Sequence, residues 1–266
     1  MVNPVTLSTL RAMPATGEPI AALTAYDYSF AVAVDAAGVD LVLVGDSLAM
    51  VMQGHASTVP VTTEEMAYHT RCVARGLTRA YLVADMPFLS DADTQLALAN
   101  AAVLMKQGGA DMVKVEAGAQ QASIVAALSQ AGVPVCAHFG LRPQRVGQLG
   151  GYRVQGRDDR GVAQLLADAD ALQAAGADLL LVECVSASVS EQIKARIDVP
   201  LIGIGAGSDC DGQILVLQDM LGLTPGRAPS FSHDFLQDTH SIAGALSAYV
   251  RAVKTRQFPG AEHGFH

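Results

Sequence analysis

Short apolar runs recur along the chain, with amphipathic stretches between them. The runs are IAALTAYD (20–27), DLVLVGDS (40–47), AYLVADMP (80–87), DMVKVEAG (111–118), VPVCAHFG (133–140), DLLLVECV (178–185), VPLIGIGAG (199–207) and ILVLQDML (214–221). Continuous β-branched and Leu-rich runs are the signature of strands buried on both faces. The stretches between them suit helices; in TTEEMAYHTRCVARG, Thr62 and Glu65 have the spacing of a capping box. Strand alternating with helix implies a parallel sheet, and eight such units in 266 residues imply a closed (β/α)8 barrel of the TIM type. An open doubly wound sheet is the alternative, but it normally carries a Gly-rich fingerprint in its first turn, and LTAYDYSF has none. No Pro, Gly and Ser linker interrupts the chain, so residues 1–266 read as a single barrel domain. The tail from Asp234 to Gln257 reads as an added C-terminal helix, suited to pack on the barrel or on another subunit.

Three units share a small repeat: GVDLVLVGD (38–46), GADMVKVE (109–116) and GADLLLVE (176–183). Each opens on a Gly that suits the left-handed residue after a helix. A small residue and Asp follow, then a strand that ends in a carboxylate.

Charge and cysteine content narrow the function classes. The formal net charge is −9 and no basic run occurs, which argues against nucleic-acid binding. No apolar run reaches the roughly 18 residues of a membrane span. MVNPVTLSTLRAMP lacks the pattern of a signal peptide, so a cytoplasmic location is expected. The cysteines, Cys72, Cys136, Cys184 and Cys210, show no C-x-x-C spacing and read as reduced thiols.

Barrel active sites form where strands end at the C-terminal face. Asp46, Asp85, Glu116, His138 and Glu183 all lie at or near such ends, on five neighbouring units. Core packing alone does not require that. Strand parity adds to it: Lys114 and Glu116 are two apart and share a face, while Val113 and Val115 take the other, as residues under helices should. Lys114 and Glu116 then point into the barrel, as do Leu181 and Glu183. A bare interior ion pair is costly to desolvate, so a functional site explains it better than stability does. Two Asp and a Glu at one mouth suggest a hard cation with oxygen ligands, of which Mg2+ is the first choice.

The stretches LTAYD, GDSLAMVMQGHASTVPVT, MAYHTRCVARG, VADMPF, VKVEAG, LGGYRVQGRD, LLLVECV and IGIGAGSDCDGQILVLQDMLGL resemble the ketopantoate hydroxymethyltransferase family, over about residues 5–255. The resemblance implies a (β/α)8 barrel and transfer of a hydroxymethyl group from 5,10-methylenetetrahydrofolate to 3-methyl-2-oxobutanoate. The product would be 2-dehydropantoate (ketopantoate), for pantothenate and coenzyme A biosynthesis. It also implies Mg2+ and a large homo-oligomer, typically a decamer. Matched motif by motif, it puts Asp46, Asp85 and Glu116 with the metal, the last through water. It puts Asp46, Ser47, Asp85, Lys114 and His138 with the keto acid, and makes Glu183 the catalytic base. Departures are small. Ala49 stands where the family more often has Gly, and AHFGLRPQRVGQLGG differs from the usual GHIGLTPQSVNQLGG.

Other features have open readings. Gly203, Gly205 and Gly207 in GIGAGSDCDG suit an anion-binding loop, a tight turn or a subunit contact, and Ser208 breaks the G-x-G-x-x-G pattern. QLGGYRVQGRDD suits a mobile lid or a plain long loop. His55, His69 and His233 read as surface or core histidines. The rival enzyme class is a carbon–carbon lyase of the phosphoenolpyruvate-mutase and isocitrate-lyase type. Its usual Lys-Lys-Cys-Gly loop is missing from the sequence.

Overall fold

The computed structural model describes residues 3–265. Eight parallel strands close into a barrel in chain order. They are β1 (Ile20–Thr24), β2 (Leu41–Val44), β3 (Tyr81–Asp85), β4 (Met112–Glu116), β5 (Val135–Gly140), β6 (Leu179–Glu183), β7 (Leu201–Ile204) and β8 (Gly212–Leu215). β1 closes on β8, with Ala21 opposite Gln213. Among the described residues no helix is long and apolar enough to cross a membrane.

Alternation sorts the side chains as the parity argument requires. Val42, Val44, Leu82, Ala84, Val113, Val115, Leu180 and Val182 pack outward under the helices. Leu41, Leu43, Tyr81, Val83, Met112, Cys136, Leu179, Leu181, Ile202 and Ile214 fill the interior. The helix Leu7–Thr16 plugs the bottom, placing Leu10 and Met13 in that interior cluster. Its start is capped reciprocally by Thr6 and Thr9, and Gly17 at φ 74° ends it.

Two features depart from the expected pattern. The eighth strand lies earlier than the run ILVLQDML. It starts at Gly212 and stops at Leu215, which pairs with Leu23, and Leu217–Met220 is a helical turn. Thr24 takes the Leu217 N–H at 2.9 Å, ending the ladder there. The crossover from β7 to β8 carries no helix. The helix Ile242–Lys254 fills that gap in the outer layer, burying Ala245, Leu246, Tyr249 and Val253 on the chain's own barrel. Tyr249 Oη lies 2.7 Å from Ala22 O and 3.0 Å from Gln213 O, bridging the β1–β8 seam. The expected C-terminal helix is therefore part of the barrel wall.

The small repeat has a mechanical meaning. Gly38, Gly109 and Gly176 adopt φ of 89°, 82° and 95°, the left-handed conformation after a helix. The Asp two residues later then accepts a backbone N–H from the neighbouring strand: Asp40 from Ala21, Asp111 from Leu82 and Asp178 from Val135. Asp40 also meets Arg79 Nη2 and Lys254 Nζ, each at 2.6 Å, and is 1% exposed. Asp40→Ala is expected to cost about 3–5 kcal/mol of stability, because two cations lose a buried partner. Asp111→Ala, which breaks one backbone contact, is expected to cost about 1 kcal/mol. Urea midpoints at unchanged slope measure both, and equal losses would mean that the cations at Asp40 contribute nothing.

Candidate active site

The inward positions that fill the barrel with Val, Leu and Met lower down carry ionisable groups at the top. On β3 the series Tyr81, Val83 ends in Asp85; on β4 Met112 gives way to Lys114 and Glu116; on β5 Cys136 gives way to His138; on β6 Leu181 precedes Glu183. Register aligns them, with Asp85 opposite Lys114 and Glu116 opposite His138. Asp46 lies two residues past the end of β2, where the chain turns into the short helix Leu48–Val51. Each site residue expected from the sequence lines one cavity of about 590 Å³: Asp46, Ser47, Asp85, Lys114, Glu116, His138 and Glu183.

Their contacts form a connected floor. Lys114 Nζ stands 2.5 Å from Asp85 Oδ1, and both are buried. The Asp46 N–H donates to Asp85 Oδ2 at 2.9 Å. His138 Nε2 is 3.1 Å from Glu183 Oε2, and Nδ1 is 3.8 Å from Glu116 Oε1. Neither ring nitrogen has hydrogen-bond geometry to its neighbour, so the 3.1 Å approach is a contact and not a hydrogen bond. Ser47 Oγ is 2.8 Å from Tyr26 Oη.

Burial dominates the electrostatics. It raises Asp46 to about 7, helped by the charge of Asp85 and opposed by Lys114. Burial raises Glu183 to about 8; Lys114 pulls it back, while Asp46 and Asp85 push it further up. Glu116 is held well above its ordinary range by burial and then by Asp46. Burial would lower Lys114, but Asp85, Asp46 and Glu116 outweigh it, so the ammonium stays charged. His138 is pushed well below its ordinary range by burial, Lys114 and Arg142, and is neutral. Four carboxyl groups thus share one buried ammonium, and ionising all four would leave the floor short of positive charge.

That shortage suits a cation. Among the described residues no three His, Cys, Asp or Glu side chains are arranged to hold a metal ion alone. Mg2+ does not need three: it binds through one or two carboxylates and completes its shell with water and substrate oxygens. Asp46 and Asp85, at the ends of neighbouring strands, fit that demand, although Lys114 Nζ and the Asp46 N–H already meet the Asp85 oxygens. Glu116 faces the Gln144 N–H at 3.2 and 3.4 Å.

Some site residues carry no signal in the sequence pattern. Gln144 reaches Asp46 across 98 residues. Asp219, buried beside Thr224, and the segment Thr224–Phe231 also line the cavity, with Phe265. The glycines of GIGAG are closely packed. A Cβ at Gly203 would meet Cys210 Sγ at 2.7 Å, one at Gly205 would meet the Phe231 ring at 2.8 Å, and one at Gly207 would meet Ala187 at 2.6 Å. Segment 142–158 lies over the cavity through Pro143, Tyr152, Arg153 and Val154. His69 Nδ1 is bound to Tyr26 O at 2.7 Å, and His233 to Asp238 at 2.6 Å; both lie outside the cavity lining. The four cysteines are free thiols.

Comparison with known proteins agrees with this layout. A profile of the ketopantoate hydroxymethyltransferase family matches residues 4–261. The 3-methyl-2-oxobutanoate hydroxymethyltransferase of Alkalilimnicola ehrlichii is 59% identical over 99% of this chain and 95% of its own. That of Thiobacillus denitrificans is 58% identical over 98% and 100%. Among solved structures, phosphoenolpyruvate phosphomutase from Streptomyces platensis superposes with a TM-score of 0.59 at 16% identity, covering 81% of this chain and 82% of that one. A phosphonopyruvate hydrolase gives 0.59 at 16% identity over 84% of each chain. At that identity the likeness speaks to the barrel alone. The near full-length match, together with acids and a lysine delivered to one mouth by the strands that carry the family's motifs, means that this chain belongs to the ketopantoate hydroxymethyltransferase family.

Proposed function

We propose that this chain is a 3-methyl-2-oxobutanoate hydroxymethyltransferase working in pantothenate biosynthesis, as a single barrel domain in the cytoplasm. The observation that carries the reading is the Lys114–Asp85 pair set among Asp46, Glu116 and Glu183 on the cavity floor. Asp46 and Asp85 would hold Mg2+, which when bound supplies Lewis-acid stabilisation of the keto acid's oxygens. Glu116 supports that centre through water.

Lys114, fixed by Asp85 and permanently charged, offers a preorganised positive charge to the oxyanion that develops at the 2-oxo group. Ser47, steadied by Tyr26, binds the substrate carboxylate. Glu183 takes the C3 proton; its raised pKa makes it a competent acceptor near neutral pH. His138, neutral and 3.1 Å from Glu183, lies against that carboxyl and takes its place beside the keto acid. The carbanion at C3 bonds to the methylene carbon of 5,10-methylenetetrahydrofolate as one of its two C–N bonds breaks, and water then displaces the second nitrogen to give the hydroxymethyl group. The C3 proton and one proton of the water end on the two freed nitrogens, and ketopantoate and tetrahydrofolate leave. Mixing protein, Mg2+, keto acid and the folate and finding ketopantoate tests the reading. A carbon–carbon lyase would instead cleave a larger acid.

The assembly is a homo-oligomer, with a decamer as the family habit. The exposed side chains of Tyr28, Val32, Tyr68 and Leu96 are open to such a contact, whereas the C-terminal helix is used by the barrel itself. Sedimentation at micromolar concentration is expected to give a species several times the 27.6 kDa chain, and a monomer alone would refute it.

A further inference from the structure

A carboxylate that presents one oxygen to a ligand binds best when its other oxygen and its torsion are already fixed, since ordering it on binding costs entropy. At Asp46 the restraint comes from Gln144. This residue sits in a one-turn 3₁₀ helix, Pro143–Arg145, just beyond β5. Its Nε2 lies 2.9 Å from Asp46 Oδ2 and 2.9 Å from Met86 O. Its backbone N–H points at the Glu116 carboxylate, 3.2 and 3.4 Å away. One residue thus ties together the ends of β2, β3 and β4.

The chemistry of the partners sets the choice of side chain. A backbone carbonyl only accepts, and an ionised carboxylate only accepts, so the amide nitrogen must face both, and its two hydrogens are both used. Glutamate has no such hydrogens and adds a negative charge beside Asp46 and Glu116. Asparagine is one methylene shorter. Lysine brings a cation that would compete with a metal for Asp46.

We propose that Gln144 is a positioning residue for the keto-acid site: it holds Asp46 by Oδ2, leaves Oδ1 for the ligand, and locks the segment after β5 across the ends of three strands. This rests on the magnesium and keto-acid reading given above. The test uses the full chain and the variants Gln144→Met, which keeps length, and Gln144→Ala. Three quantities are measured: melting temperature without ligand; binding of Mn2+ alone and of 3-methyl-2-oxobutanoate with Mg2+; and exchange of the C3 proton into deuterated water without folate. Both variants are expected to fold but to melt a few degrees lower, because Asp46 and Met86 O lose a buried donor, and to weaken Mn2+ and metal-dependent keto-acid binding by about 10- to 100-fold, the scale for removing a residue that orients a metal ligand. Exchange at saturating keto acid and metal is expected to stay within about 3-fold, since the lost contact acts mainly on binding. Wild-type affinity in a folded Gln144→Met overturns the proposal. Failure of both variants to fold also overturns it, by assigning Gln144 to the fold. A wild-type protein with no metal-dependent keto-acid binding sinks the broader functional reading, and this one with it, so the two failures are told apart.

Discussion

Glu183→Gln is expected to suppress exchange of the C3 proton of 3-methyl-2-oxobutanoate with deuterated water by about 10²–10⁴-fold, the usual cost of losing a general base. The amide keeps the size and shape of the carboxyl, so Mg2+ and keto-acid binding should stay close to wild type. Exchange needs no folate, so the measurement isolates proton removal from transfer. The pH dependence follows from the environment of the group. Burial raises Glu183 from 4.5 to about 8, and a base must be ionised to accept a proton. Below about 8 the carboxyl is increasingly protonated and idle. Mg2+ on Asp46 and Asp85 would remove their upward push, so the exchange rate of the wild type should rise with pH and level at or below about 8, and Glu183→Gln should lose that limb. Normal binding with wild-type exchange in the variant would remove Glu183 as the base and make His138 the next candidate.

Asp46→Asn and Asp85→Asn separate two duties that look alike in the sequence. Both are expected to weaken metal-dependent keto-acid binding by about 10-fold or more, because each removes a charged partner of the proposed ion. Their stabilities should differ. Asp46 is a buried carboxyl raised to about 7 with Asp85 as its like-charged neighbour, so neutralising it relieves repulsion and leaves the melting temperature near wild type or above. Asp85 is the direct counter-ion of Lys114 at 2.5 Å, with both side chains at most 5% exposed. Removing that charge leaves a buried ammonium with less compensation and should cost about 3 kcal/mol. Titrating keto acid with and without Mg2+, alongside thermal melts, measures both effects. Metal-dependent affinity equal to wild type in both variants would take them out of the site.

The parts of this site that sequence reveals are those fixed by period two. Once a run is taken as a strand buried on both faces, Val113 and Val115 must go under helices, and Lys114 and Glu116 must go inward, as they do. Asp46 could be placed at the mouth because an apolar strand stopped at a carboxylate. Gln144 could not, because its contacts depend on how a loop folds back over three other strands, and no periodicity encodes that. The plug Leu7–Thr16 was hidden for a related reason: its few apolar residues meet the barrel interior end-on rather than as a stripe along a sheet face. The limits of the eighth strand are not legible because Ile214–Leu217 is an unbroken apolar run. Such a run suits a strand or a buried helical turn equally, and the pairing with β1 decides between them.

The seam between β1 and β8 has a consequence for how the molecule is made. Tyr249 meets Ala22 across 227 positions, so the first strand cannot acquire its final neighbours until nearly all of the chain has left the ribosome. Until then Ile20–Thr24 is an open sheet edge whose five residues are all destined for burial, a surface prone to wrong pairing. Closure of so long a loop is slow relative to local helix formation. The last long helix therefore acts as the latch of assembly. A lesion in its buried face, at Leu246 or Val253, should show first as poor yield and aggregation during synthesis, before any defect is seen in the chemistry of molecules that have already closed.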